Sequence, residues 1–219
     1  MSFFKKLNKE QDEAVEEYKE ESRIMYKAFL ISLSPLLKDK MSNKYKTFIK
    51  KELKKIGTRQ NKLLDNIIYK IVKRRVIKGN FAKQIMRERW SDIHYSDRIW
   101  KEKKKLEKIL IKEIRAGMDN DKREFLLRKI SKKLDTATYN AERLINTELT
   151  YAMARSEIKL GEIYGKKFYK IGVVVDDRTS DVCADIHSEN KIYKISEAIV
   201  GETLPPFHVN CRSRVILMD

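Results

Sequence analysis

From Ala141 the residues Ile145, Leu149, Ala152, Ser156, Leu160 and Ile163 follow one another in steps of three and four. That period places them on one face of a helix. Asp135, Thr136 and Thr138 precede the stripe as cap candidates, and Gly165 closes it. At about 1.5 Å of rise per residue the predicted helix is about 40 Å long, enough to act as a spine. A spine of that length dictates the architecture, because the rest of the chain must pack along it.

The chain has 7 Gly and 3 Pro among 219 residues, too few for a loop-rich β sandwich, and 42% hydrophobic residues can supply a core. Further helices are expected over 9–34, opened by Asp12, Glu13, Glu16 and Glu17 and ended by Pro35. A short helix over about 43–55 should stop at Gly57. From Arg59 towards Trp90 the pairs Leu63/Leu64, Ile67/Ile68 and Ile71/Val72 recur every four residues, with a break at Gly79 and Asn80. Another helix covers about 97–115 with Gly117 as its C-cap, and a short one covers 122–133 behind Asp119 or Asn120. After Gly165 the pattern changes. Residues 168–175 are β-branched and aromatic and read as a strand, as do the shorter 191–194 and 214–217. The predicted fold class is α+β and mainly α: a helical N-terminal region, a long spine helix and a small β-containing C-terminal module with Cys/His turns.

The net charge of +17 is unevenly spread. Residues 1–133 hold 38 basic against 19 acidic residues, whereas 134–219 hold 11 against 13. This predicts two parts, a basic helical region 1–133 and a near-neutral module 134–219. The basic part suits a polyanion, with Lys70, Lys73, Arg74, Arg75 and Lys78 as candidates for sequence-independent contact with DNA phosphates. Much of such a run is also an ordinary solvated helix face. Tyr69, Trp90, Tyr95 and Trp100 lie among these cations, where they could stack on bases, although at helical spacing they read first as core. The stretch from Ala28 to Leu37 is interrupted by Ser32, Ser34 and Pro35 and is far short of the about 20 residues a membrane span needs. No membrane partner is expected. Nothing in the sequence marks a signal peptide, and synthesis in a cytoplasm is expected.

Both cysteines and two of the three histidines fall close together as Cys183-x3-His187 and His208-x2-Cys211. Two close-spaced thiol and imidazole pairs are the donor set of a structural zinc site, since each short spacing lets one turn present two ligands. The same residues also fit a small buried Cys183 with His208 bonded to a turn carbonyl. A late Cys183–Cys211 disulfide is a further alternative. A Cys–His nucleophilic pair would need a third group to orient the base, and none is visible. Glu148, beside Leu149, reads either as a boundary residue or as a buried acid tied to Arg178 or Arg212.

Three ordered motifs carry a resemblance. They are Tyr-Asn-Ala-Glu-Arg-Leu-Ile-Asn-Thr-Glu at 139–148, then Asp177-Arg178-Thr179 with Cys183, then Pro-Pro-Phe-His-Val-Asn-Cys-Arg-Ser at 205–213. Together with Ser96-Asp97-Arg98-Ile99-Trp100 they resemble the phage Mu protein F-like head morphogenesis family, and within it the minor capsid proteins of phages of Gram-positive hosts. Thr147, Glu148, Asp177, Arg178, Thr179 and Arg212 are the motif positions. The chain departs from the family in having Asn146 where an arginine is usual, and His187-Ser188 where an Asp-Gly turn is common. The resemblance implies a non-enzymatic virion component, present in few copies in the capsid interior and in the host cytoplasm during assembly. It also implies a portal partner, with scaffolding or major capsid protein as further contacts, and a role in head assembly or genome delivery. Two other classes compete. A zinc-dependent nuclease or hydrolase at 183–211 would need an open coordination position and a general base beside it. A free-standing DNA-binding protein would need a reading motif, and no helix-turn-helix is seen.

Overall fold

The computed structural model describes residues 3–38, 44–75, 80–118 and 123–219. The predicted break at Gly79, the cap at Asp119 or Asn120 and the contact residue Lys78 lie outside the described residues. The described elements are helices α1 (Phe3–Leu33), α2 (Lys44–Arg75), α3 (Phe81–Ile85), α4 (Tyr95–Met118), α5 (Arg123–Ile163) and α6 (Asp181–Glu189), and strands β1 (Phe168–Gly172), β2 (Ile192–Lys194) and β3 (Arg214–Met218). The α+β, mainly α class is the one observed.

Several helices run longer than the sequence suggests, and three presumed punctuation sites do something else. α1 reaches back to Phe3, so its acidic run lies inside the helix, and Pro35 sits in the 3₁₀ turn Ser34–Lys38 that follows. Gly57 does not stop a helix: α2 passes through it, and a Cβ there would fall 2.6 Å from the Trp100 ring. Gly117 likewise lies within α4, where a Cβ would meet Leu126 at 2.7 Å. Both glycines allow a large side chain to lie against helix backbone. The expected short helix and spine are one helix, α5, of 41 residues. Thr136 and Thr138 do not cap it. Their hydroxyls donate to the carbonyls of Lys132 and Leu134 four residues back, at 3.0 and 3.1 Å, which satisfies them inside a continuous helix.

The chain forms two compact units. One, Glu16–Leu64 with Ser96–Glu142, is helical. Its core joins Phe29, Leu33, Ile49, Leu53, Leu106, Leu110, Ile114, Ile130 and Leu134, spaced four apart along their helices. The other collects Met1–Val15, Asp65–Tyr95 and Arg143–Asp219. Its three-stranded antiparallel sheet has the order β2-β1-β3, with Tyr169 opposite both Tyr193 and Leu217. Alternate residues Tyr169 and Ile171 point inward and join Ala154 and Ile158 of α5 with Ile195, Leu204 and Val215 in an apolar cluster. Gly161 marks how closely this layer approaches α5, since a Cβ there would lie 2.5 Å from Ile195.

Candidate metal centre

The loop after β1 is folded by its own side chains. The Asp176 carboxylate accepts two bonds from the Arg212 guanidinium, at 2.8 and 2.5 Å, and one from the Arg178 backbone N–H at 3.0 Å. The Arg212 bond is the main reason its carboxyl titrates well below the usual carboxylate range. Thr179 donates to the Val174 carbonyl at 3.0 Å and accepts from Asp176 N–H at 2.8 Å, which closes the turn. Ser180 then caps α6, its hydroxyl accepting from Cys183 N–H at 3.3 Å. Cys183, in the first turn of α6, is thereby aimed inward and buried.

The second half comes from the loop before β3. Asn210 has φ +67, a left-handed conformation that reverses the chain between His208 and Cys211. The donor atoms of Cys183, His208 and Cys211 all lie within 4.8 Å of one another. The Cys183 sulfur is 3.1 Å and the Ser180 hydroxyl 2.8 Å from His208 Nε2. His208 Nδ1 sits 2.9 Å from the Val209 carbonyl, which can only accept, so Nδ1 carries the proton and Nε2 presents its lone pair. Both cysteines are free and buried. The Cys183 sulfur also lies 3.3 Å from the Ser213 hydroxyl, and Cys211 has Cys183 and the backbone of Phe207 and Ser213 as its electrostatic neighbours. Cys183 and these backbone groups draw the Cys211 thiol down to about 6 against the effect of burial, while Cys211 and burial push Cys183 up to about 12. These three residues could hold a metal ion. His187 is not among them: it lies one turn further along α6, about 6 Å by helical rise, and is exposed.

A polar network fastens this loop to α5. Asn146 donates to the Asn210 side chain at 2.8 Å, Thr147 accepts from Asn210 N–H at 2.8 Å, and Thr150 donates to the Cys211 carbonyl at 2.6 Å. Gln11 donates to the Asn146 side chain at 3.2 Å, and Arg214, wholly buried, donates to Gln11 and to the Ser213 carbonyl. Burial lowers the Arg214 pKa to about 10. The motif positions Thr147, Asp177, Arg178, Thr179 and Arg212 thus gather around one loop pair, with Asp177 and Arg178 exposed. Glu148 is buried at 4% exposure and its charge acts on the hydroxyls of Tyr95 and Tyr151, whereas both arginines considered for it face Asp176. Asp176, Thr150, Asn210, Gln11 and Arg214 were not singled out from sequence. Asp176 stands next to a motif position and Asn210 inside a motif, but nothing in the order of residues links Gln11 to Asn146.

The four described candidates for DNA contact do not share one environment. Lys70 and Lys73 are exposed. Arg74 is paired with Glu10 at 3.0 Å, while Arg75, only 7% exposed, is held by Glu10 at 2.8 Å and Glu157 at 3.5 Å. Arg75 is an internal ionic strut.

No helix among the described residues is long and apolar enough to cross a membrane. Comparison with curated proteins and with solved structures gives no match. The family described as phage Mu protein F like protein matches residues 66–216, a span that takes in the Asn146–Thr150 anchor, the Asp176 turn and the Cys/His loop. On that match, which covers more than half of its length, the chain belongs to the phage Mu protein F-like family.

Proposed function

We propose that this protein is a minor head protein of a tailed bacteriophage, a structural component of the capsid interior that binds the portal and DNA and acts in head assembly or genome delivery. The observation that carries the reading is the family match over residues 66–216, whose motifs here serve to lock a loop onto the spine helix. Contacts with scaffolding or major capsid protein belong to the same proposal. The sheet supports a docking role, because β2 and β3 leave edges and apolar side chains such as Ile192 and Ile199 stand exposed.

We further propose that Cys183, His208 and Cys211 hold a structural zinc ion. Sulfur and nitrogen ligands of a tetrahedral zinc lie about 3.6 Å apart, a spacing these atoms can adopt with small adjustment. The Nδ1–H bond of His208 to a carbonyl is the usual outer support of a metal-bound imidazole. Three protein ligands would also suit a hydrolytic zinc, but two observations favour a structural role. The adjoining cleft measures only about 10 Å³, room for about one water. Its lining contains no Asp or Glu to act as base, and nearby Asp176 is occupied by Arg212.

Coexpression with the cognate portal protein tests the main reading. A complex that survives size-exclusion chromatography is expected, and separate elution of the two proteins would overturn it. The full-length chain is required, because the sheet-bearing unit also draws on residues from its N-terminal half.

A further inference from the structure

We infer that the exposed face of α4 is a duplex-DNA surface, formed by Lys101, Lys104, Lys105, Lys108, Lys112 and Arg115. This rests on the proposal that the protein works beside packed DNA, and it assigns the contact to residues other than those around Lys70. All six side chains are exposed, at steps of one, three and four that keep them on one side of the helix. None of them takes part in an ion pair among the described residues.

Several exposed cations on other helices sit beside acids of their own turn, as in Lys9–Glu13, Arg23–Glu20, Arg128–Glu124 and Lys159–Glu162, while others, such as Lys50, Lys54 and Lys62 of α2, also face solvent outside any ion pair among the described residues. The acids of α4 are instead drawn away from the stripe. Glu102 accepts from Asn140 at 3.2 Å, and Glu113 faces Lys129 and Lys133 at 3.9 and 3.8 Å, both on α5. Glu107 is the remaining half-buried acid beside the stripe, and Asp97 lies one turn before it. The six charges span about 22 Å of helix, roughly one every 4 Å. That density presents a near-continuous line of positive charge to a polyanion whose own charge is dense along its axis. The unit that carries the stripe holds 27 basic against 15 acidic residues, which adds a favourable long-range field. No base-reading group is interleaved in the stripe, so the contact is with phosphates and independent of sequence.

The test titrates the full-length protein against a labelled mixed-sequence duplex by fluorescence anisotropy over a range of salt. Changing Lys104, Lys105, Lys108 and Lys112 together to Gln should make the slope of log K against log salt shallower by about 3 to 4. Changing all four to Arg should leave the slope within about one unit of wild type, since charge is kept. The matched control neutralises Lys9, Arg23, Arg128 and Lys159 and should change the slope by less than about one unit. If the quadruple Gln variant fails to fold by circular dichroism, Lys108→Gln alone decides, with an expected change of about 1. A Gln variant no weaker than the control would overturn the inference. So would poly-glutamate displacing the duplex at equal charge concentration, which would mark the stripe as a surface for an acidic protein. Wild-type protein that forms the portal complex but ignores duplex would sink this inference and leave the family reading standing.

Discussion

The two units hold themselves together by different means. The helical unit has an apolar core in which Leu110, Ile114 and Ile130 are fully buried, and among its described residues the buried polar groups are few: Ser22 with Gln60, Thr138, and Lys103 against Tyr26. In the sheet-bearing unit Gln11, Asn146, Thr150, Ser213 and Arg214 are buried and bonded to one another around the Cys/His loop, and buried Thr147 is joined to them through Asn210. An apolar core tolerates graded loss, because each deleted group costs its own transfer and cavity energy. A polar network fails by unsatisfied groups, because one missing partner leaves several buried atoms without bonds. The first arrangement gives a stiff support. The second fixes one geometry for the loop that carries the donors.

The largest effect is expected from the apolar side. Leu110→Ala should lower the unfolding free energy by about 3 to 4 kcal/mol in urea titration, through transfer loss and a residual cavity. A loss under about 1 kcal/mol would mean that this core is loosely packed.

Next is Thr150→Val, which keeps the shape but removes a hydroxyl that serves the Cys211 carbonyl, Gln11 and Arg214. It should cost about 2 kcal/mol, more than deletion of one typical hydrogen bond. An effect near zero would show that the polar network adds nothing to stability.

Lys103→Met should instead stabilise the helical unit at pH 7, by about 1 to 2 kcal/mol. Burial pulls the Lys103 pKa down from 10.5 to about 7. Since the unfolded chain binds that proton more tightly, wild-type stability should rise as pH climbs from about 7 towards 10.5, and the variant should lose that rise. Parallel melting curves for the two proteins across this window would contradict the burial. The smallest effect is Lys159→Ala, at most about 0.5 kcal/mol, because its pair with Glu162 is exposed.

What the sequence made legible divides along the same line. Apolar periodicity located the spine, the strands and the core stripes, because burial of one face leaves a period that can be counted. Residue type and spacing marked Cys183, His208 and Cys211, together with His187, which instead stands exposed one turn further along α6. Glycines misled the reading: Gly57 and Gly117 read as stops, yet they are close-packing positions, a role that depends on Trp100 and Leu126 arriving from elsewhere. Thr136 and Thr138 misled it in the same way, since a hydroxyl that caps and one that bonds back four residues look identical in sequence. The bond from Gln11 to Asn146 spans 135 residues and leaves no local trace. A unit gathered from three stretches of chain is likewise invisible to a reading that moves from one end to the other.

A metal-clasped loop, built by the family motifs and pinned to the spine helix, would be read out by amide hydrogen exchange on the full-length protein. Wild-type protein should carry about one zinc per chain, and Cys211→Ser should carry none. In the variant, or in wild type treated with a chelator, protection should fall over residues 176–187 and 205–213, while amides of residues 106–114 in the helical unit stay as protected as before. Absence of metal together with unchanged protection in the loop would contradict the account, leaving Cys183 and Cys211 as packing residues.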